Sequence, residues 1–220
     1  CEAILRAGPA VVSSIMGLYP AEFVVQLKAR KIKWFATVTT VSEALEAEEA
    51  GADVIIAQGM EAGGHRGAFI ASQASNMVGL FSLLPAVVDA VEVPVVATGG
   101  ISDDRGIAAS LILGASGVQI GTGFLRAPEA SISPAWSDAI GAAAPEDTVA
   151  SRVFSGRLGR SLRTDYTNAA TSPSAPHPAP YPIQRNLTQE MRDAAVASND
   201  LSKIQAVSYT HLTLPTTAIV

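Results

Sequence analysis

The chain has 220 residues, 48% of them hydrophobic and 16% charged, and its 15 Lys+Arg against 20 Asp+Glu leave a net charge of −5. That length and composition suit one sizeable globular domain, alone or with a small appendage, and exclude a disordered chain. The acidic balance without a long basic run argues against a nucleic-acid partner, and no apolar run reaches the roughly 18–20 residues of a membrane span. The single cysteine, Cys1, excludes an internal disulfide framework and suits a reducing, cytoplasmic compartment, and no signal-peptide pattern opens the chain.

Residues 1–8 read as the end of a helix stopped by Gly8-Pro9, and Ala10 to Met16 as a strand. Ala21 to Ala29 carries Phe23, Val24 and Leu27 at helical spacing, and Ile32 to Thr39 is a second strand. Ser42 is placed to cap a helix with Glu43 in its first turn, running to about Ala50 and stopping at Gly51. Val54 to Ala57 is a short β-branched run, the mark of a buried parallel strand. A helix over Gly79–Val91, a strand over Pro94–Thr98, a helix over Asp103–Leu113 and a strand over Gly117–Gly121 follow.

Regular βα alternation, with strands beginning near 10, 33, 54, 94 and 117, means a parallel sheet with right-handed crossovers. Spacing alone fits either the last five units of a (β/α)8 barrel or a five-stranded doubly wound sheet. After about Arg126 the rhythm fails. Helical pieces (Pro134 to Ala143, Thr188 to Ala197) flank a Pro-rich segment, Ser172 to Pro182, that must be extended or irregular. The expected organisation is a barrel domain over 1–126, a cap region with closing helices over 127–206, and a tail over 207–220. That tail is uncharged, rich in Thr and Leu, and reads as disordered or foreign to the rest.

Three stretches carry chemistry. The strand at Val54 runs into Gln58-Gly59-Met60-Glu61-Ala62-Gly63-Gly64-His65-Arg66-Gly67, which holds four glycines and the only histidine of the first 176 residues. Glycine lets main chain approach a ligand, and histidine moves protons near neutral pH. Gln58 ends a buried strand, where an amide needs a partner that a bound polar ring could supply. Val96 to Asp103 passes from strand through Gly99-Gly100 into a helix, so main-chain N–H groups and the helix dipole could face an anion, or Ser102 or Asp103 could simply cap that helix. Gly117 to Gly123 repeats the pattern with Thr122 beside the glycines, and together the two turns match a barrel phosphate cradle. No nucleophile elbow, Walker loop, dinucleotide fingerprint or metal-spaced cluster is present. Glu61 reads as solvated or salt-bridged, Arg157, Arg160 and Arg163 as a solvated face, and His177 and His211 as bystanders.

Three ordered motifs, Ala57-Gln58-Gly59-x-Glu61-Ala62-Gly63-Gly64-His65-x-Gly67, Pro94-Val95-Val96-Ala97-x-Gly99-Gly100-Ile101 and Gly114-Ala115-x-Gly117-Val118-Gln119-x-Gly121-Thr122-x-Phe124, resemble the nitronate monooxygenases, formerly 2-nitropropane dioxygenases. The likeness covers about residues 5–206. It implies an FMN-dependent (β/α)8 barrel with a helical cap that oxidises alkyl nitronates with O2 to a carbonyl compound and nitrite, without a nicotinamide cofactor. It further implies that Gln58, Gly63 and Gly64 touch the flavin, that Gly99, Gly100, Gln119, Ile120, Gly121 and Thr122 hold its phosphate end, and that His65 is the catalytic residue.

Members of that family carry three more βα units ahead of the position of Cys1, so the resemblance also implies a chain truncated at the front. The flavin-dependent enoyl-acyl-carrier-protein reductases share the barrel and the Glu-Ala-Gly-Gly-His loop, but usually have Glu-Gly where this chain has Gln58-Gly59. An inactive flavin-barrel remnant is the reading from a different class.

Overall fold

The computed structural model describes residues 1–205 and the main chain of Ala218 and Ile219. The expectation for a foreign tail over 207–220 and the bystander His211 therefore lie, those two residues apart, outside the described residues. In chain order the elements are α1 (Glu2–Ala7), β1 (Val11–Ser14), α2 (Ala21–Ala29), β2 (Lys33–Val38), α3 (Val41–Glu49), β3 (Val54–Gln58), β4 (Gly64–His65), α4 (Leu80–Val88), β5 (Val95–Thr98), α5 (Asp104–Ile112) and β6 (Gly117–Ile120). Then come α6 (Pro134–Ala142), β7 (Thr148–Ser151), β8 (Gly159–Leu162), α7 (Asp165–Ala170), α8 (Ile183–Leu187), α9 (Gln189–Ser198) and a two-residue β9 (Ala218–Ile219), with short 3-10 turns between.

The chain divides into two compact units, each described by itself. The first comprises residues 1–62 and 66–120 together with the chain's end; the second comprises 63–65 and 121–218.

In the first unit the strands are ordered β1-β2-β3-β5-β6-β9, and the pairs among the first five are all parallel. Each of those five lies beside the strand that precedes it within the sheet. A doubly wound sheet would reverse direction at a switch point, so this order decides for the barrel type of winding: the unit is a partial (β/α)8 barrel. Burial explains the sequence pattern. On β1 the burial alternates, with Val12 and Ser14 inside, whereas Ile55, Ile56, Ala57 and Gln58 of β3 are all buried, as a central strand covered on both faces must be. Phe23 and Leu27 of α2, Ala44 and Ala47 of α3, and Leu83, Leu84 and Val87 of α4 join Trp34, Val38, Val95 and Val118 in one core. The Trp34 indole N–H donates to Ser14 Oγ at 3.0 Å, so this fully buried ring leaves no polar atom stranded.

One cap differs from expectation. Thr40, extended at φ −142° and ψ 163°, caps α3 by accepting the Glu43 N–H on its hydroxyl at 3.2 Å, and Ser42 lies inside the first turn. Glu43 faces inward. Its buried carboxylate accepts the Thr39 N–H at 2.6 Å, the Thr39 hydroxyl at 2.8 Å and the Phe69 N–H at 2.8 Å.

The second unit holds α6 to α9 and a three-stranded sheet ordered β4-β8-β7, in which both pairings are antiparallel. Sequence reading expects only helical pieces and irregular chain here. The strands β7 and β8 are four residues each and, Ser161 apart, only half-buried, too short and too mixed to show a period. A small core of Leu125, Trp136, Ala195 and Ile204 serves the helices, and the Pro-rich segment forms no regular strand or helix, as expected.

Candidate active site

The loop after β3 is shared between the units. In the first, Arg66 and Gly67 return to the end of β3. Gly67 donates its N–H to Gln58 Oε1 at 2.8 Å, and its carbonyl accepts the Met16 N–H at 3.2 Å. The Gln58 side chain, expected to need a ligand as partner, thus finds one in its own loop. Arg66 is buried and donates to the carbonyls of Gln58, Asn76 and Thr39. Burial pulls its guanidinium below the usual arginine range, and the charges of Glu43 and Glu61 oppose this. Glu61 is exposed, in keeping with a solvated group, and its carboxylate also accepts the Leu80 N–H at 3.1 and 3.2 Å, which serves the start of α4.

The double glycine of the first unit is explained from two sides. Gly99 and Gly100 have φ of +107° and +72°, a region that disfavours other residues. A Cβ on Gly99 would lie 3.0 Å from the Ala62 nitrogen, and one on Gly100 would lie 3.0 Å from Glu61 Cβ. The pair therefore lets the Glu61-Ala62 turn approach. At the α5 terminus itself Asp103 is the cap, accepting the Gly106 N–H at 3.0 Å and held below the usual carboxylate range first by its bond to Arg105 and then by that N–H. On β6 the Gln119 carbonyl accepts the Thr98 hydroxyl at 2.8 Å, while its buried Oε1 has no partner among the described residues. Ile120, half-buried, ends that strand.

In the second unit His65 is 6% exposed on β4, opposite Gly159 of β8. A side chain on Gly159 would press within 3.2 Å of the Gly64 carbonyl and 3.4 Å of the His65 ring, so glycine there lets the two strands close. Gly64 itself has φ +82° and pairs with Arg160. His65 Nε2 lies 2.6 Å from Ser155 Oγ, and that hydroxyl also accepts the Arg157 N–H at 3.2 Å. The Tyr181 ring stands edge-on to the imidazole, centroids 6.5 Å apart. Burial, then the charges of Arg185 and Arg157, lowers the His65 pKa to about 4, so the ring is neutral at pH 7. A cavity of about 10 Å³ beside it, lined by Gly64, Ser155, Arg157 and Ser161 among others, has room for one water.

The arginine cluster departs from expectation, since Arg157, which lines the cavity at His65, and Arg160, which pairs with Gly64, are half-buried, and of the three only Arg163 is exposed. His177 is exposed. Gly63 packs on Thr122, where a Cβ would come within 2.4 Å of the Thr122 hydroxyl, while a Cβ on Gly121 would meet open space. Sequence reasoning missed Ser155, Tyr181 and Arg66. Ser155 is 90 residues from His65 in a stretch without periodicity, and an arginine after a histidine reads as surface. Among the described residues no His, Cys, Asp or Glu cluster could hold a metal, and no helix is long and apolar enough to cross a membrane.

The family model for nitronate monooxygenase matches residues 1–213. The chain belongs to the nitronate monooxygenase family. It is 41% identical over 196 residues to a probable nitronate monooxygenase of Staphylococcus saprophyticus, covering 88% of this chain and 55% of that protein. It is 40% identical over 200 residues to one of Staphylococcus aureus, covering 90% and 56%. The chain thus spans about half the length of these curated relatives. Among solved structures, nitroalkane oxidase from Streptomyces ansochromogenes superposes with a TM-score of 0.86 at 36% identity, over 94% of this chain and 59% of that one. FabK from Thermotoga maritima superposes at 0.74 with 31% identity, over 94% and 62%.

Proposed function

We propose that the protein oxidises alkyl nitronates, and nitroalkanes that its own residues deprotonate, with O2 to a carbonyl compound and nitrite, using FMN. The observation that carries this reading is His65, a buried neutral imidazole whose orientation is set by Ser155 at 2.6 Å and by the edge of Tyr181. A neutral ring accepts a proton from the carbon beside a nitro group; with a pKa of about 4 it does not serve as a standing cation for the nitronate. Ser155 and Gly159 hold the ring in place while it does so.

The residues fit FMN. In the first unit the Gly99-Gly100 turn carries no side chain to crowd a phosphate, and the buried Gln119 Oε1 is an acceptor suited to a sugar hydroxyl. In the second, Gly121 leaves open space beside its Cα. Our reading is that Gln58, Gly99, Gly100, Gln119 and Ile120 of the first unit and Gly63, Gly64, Gly121 and Thr122 of the second contact the cofactor, and that His65 is the catalytic residue. Bound FMN would supply the redox reactivity toward O2 that no side chain provides. The substrate is a small molecule, and neither nucleic acid nor membrane enters the reading; a cytoplasmic setting fits the lone cysteine, Cys1.

Likeness to FabK supports a second reading, an enoyl-acyl-carrier-protein reductase-like enzyme. The test is nitrite release from ethylnitronate under O2 by the FMN-loaded chain, run beside enoyl-thioester-dependent NAD(P)H oxidation. Nitrite alone supports the first reading, NAD(P)H oxidation alone the second, and FMN binding without either points to an inactive flavin-binding remnant. With neutral nitroethane as substrate, His65→Asn is expected to lower kcat/KM by about 10²–10⁴-fold, the usual worth of a general base. Unchanged turnover of nitroethane would remove His65 as the base.

A further inference from the structure

One strand of the second unit carries a buried hydroxyl that the chemistry proposed above leaves unused. Ser161 on β8 is 4% exposed, and its Oγ has no hydrogen-bond partner among the described residues. The pairing of the three short strands fixes where that side chain stands. His65 of β4 lies opposite Gly159 of β8, and Gly159 lies opposite Ser151 of β7. Residues opposite each other across an antiparallel pair share a face of the sheet, as do residues two apart along one strand. Ser161 therefore projects from the same face as His65, Gly159 and Ser151, as a diagonal neighbour of His65. Such neighbours stand about 7–8 Å apart, a gap that one water spans with two hydrogen bonds. Gly159, next to both, has no side chain to fill it, and the cavity of about 10 Å³ there is lined by His65, Ser151, Ser155, Arg157 and Ser161 among others.

We propose that Ser161 anchors a single water in this cavity and, through that water, hydrogen-bonds the His65–Ser155 pair. What this does for catalysis rests on the reading of His65 as the base. A buried hydroxyl without a partner costs stability that alanine, of nearly the same volume, would not, so a hydroxyl here calls for a partner that the protein does not supply. The cavity has the volume of one water, and three serines on its wall give that water the polar surroundings it needs. Ser155 Oγ lies 2.6 Å from His65 Nε2 and accepts the Arg157 N–H at 3.2 Å, so a water bonded to the pair acts on the ring directly or through one hydroxyl. When the imidazole takes a proton from the carbon beside a nitro group, its new charge meets those of Arg185 and Arg157 in a place largely closed to solvent. A water held there stabilises that charge. Ser161 is thus a positioning residue: it holds the water, and the water acts on the base.

The test pairs crystal structures with kinetics on the full chain, the parent beside Ser161→Ala and Ser161→Val. Alanine removes the anchor, and valine also fills the cavity. In the parent an ordered water is expected within hydrogen-bond distance of Ser161 Oγ and of His65 or Ser155, with none in Ser161→Val. A dry cavity in the parent, or a water undiminished in Ser161→Ala, overturns the proposal. With FMN loaded, Ser161→Ala is expected to lower kcat/KM for neutral nitroethane about tenfold, the worth of one hydrogen bond to a charged group, and to leave preformed ethylnitronate within about twofold, since it has no proton to lose. A serine that only supports the fold would slow both substrates alike, or lower the melting temperature with both rates unchanged, and either result overturns the proposal. If Ser161→Val does not melt cooperatively, the smaller change Ser161→Ala carries both comparisons. A parent that oxidises neither substrate brings down the FMN reading instead, and the crystal structures still decide the water.

Discussion

The two units place their candidate site residues by different means. In the first they lie at the ends of parallel strands that one large apolar core aligns, and side chains there are mostly tied back to carbonyls and N–H groups. The second has four residues in its helical core and a short antiparallel sheet, and it spends buried polar contacts on one imidazole. The division runs through a single loop, since Gly63–His65 belong to the second unit although Ala62 and Arg66 on either side belong to the first. Regular strands bring main chain into register along a sheet edge, whereas desolvating one side chain takes close, irregular contact around it.

That contrast can be broken from either side. Trp34→Ala removes the largest fully buried side chain of the first unit and strands the Ser14 hydroxyl; we expect a loss of about 3–5 kcal/mol, read by chemical denaturation. Gly156→Ala strikes the second unit. Its φ is +83° and a Cβ would lie 2.3 Å from the Ala179 carbonyl oxygen and 2.5 Å from the Tyr181 nitrogen, so strain and overpacking together should cost about 3–4 kcal/mol. Hydrogen exchange is expected to show the opening confined to 121–205, with β1 to β3 still protected.

The pH response belongs to His65. Its folded pKa, about 4, lies below the unfolded value of 6.5, so protonation favours the unfolded chain. The neutral ring costs nothing above pH 6.5, and stability should fall as pH drops from about 6.5 to 4, by roughly 2–3 kcal/mol, then level off in this group's contribution. His65→Asn is expected to remove that slope in pH-dependent melting; an unaltered slope would place the titrating group elsewhere. The smallest effect is Thr40→Ala, which removes the α3 cap for about 1 kcal/mol in thermal melting and should leave the second unit untouched.

Much of the first unit was legible in the residues. The β-branched runs at 54 and 95 and the glycines after each strand located elements to within a residue or two, and the α5 cap was narrowed to Ser102 or Asp103, because periodicity and turn chemistry are local. Gly99 and Gly100 were legible as special, but half of the reason, the approach of Glu61 and Ala62, was not. The second unit was less legible. Its strands β7 and β8 lack a period, and Arg157 and Arg160 looked solvated because charge says nothing about what folds over it.

By itself, then, the sequence determined the βα rhythm and the family and singled out His65 as a candidate, since motif and spacing are properties of neighbouring residues. Only the tertiary structure decided between barrel-type and doubly wound strand order, which depends on which strands pair. It alone set Ser155 against His65 across 90 residues, and it alone made that histidine neutral, because burial and the approach of Arg185 and Arg157 are facts of packing rather than of order along the chain.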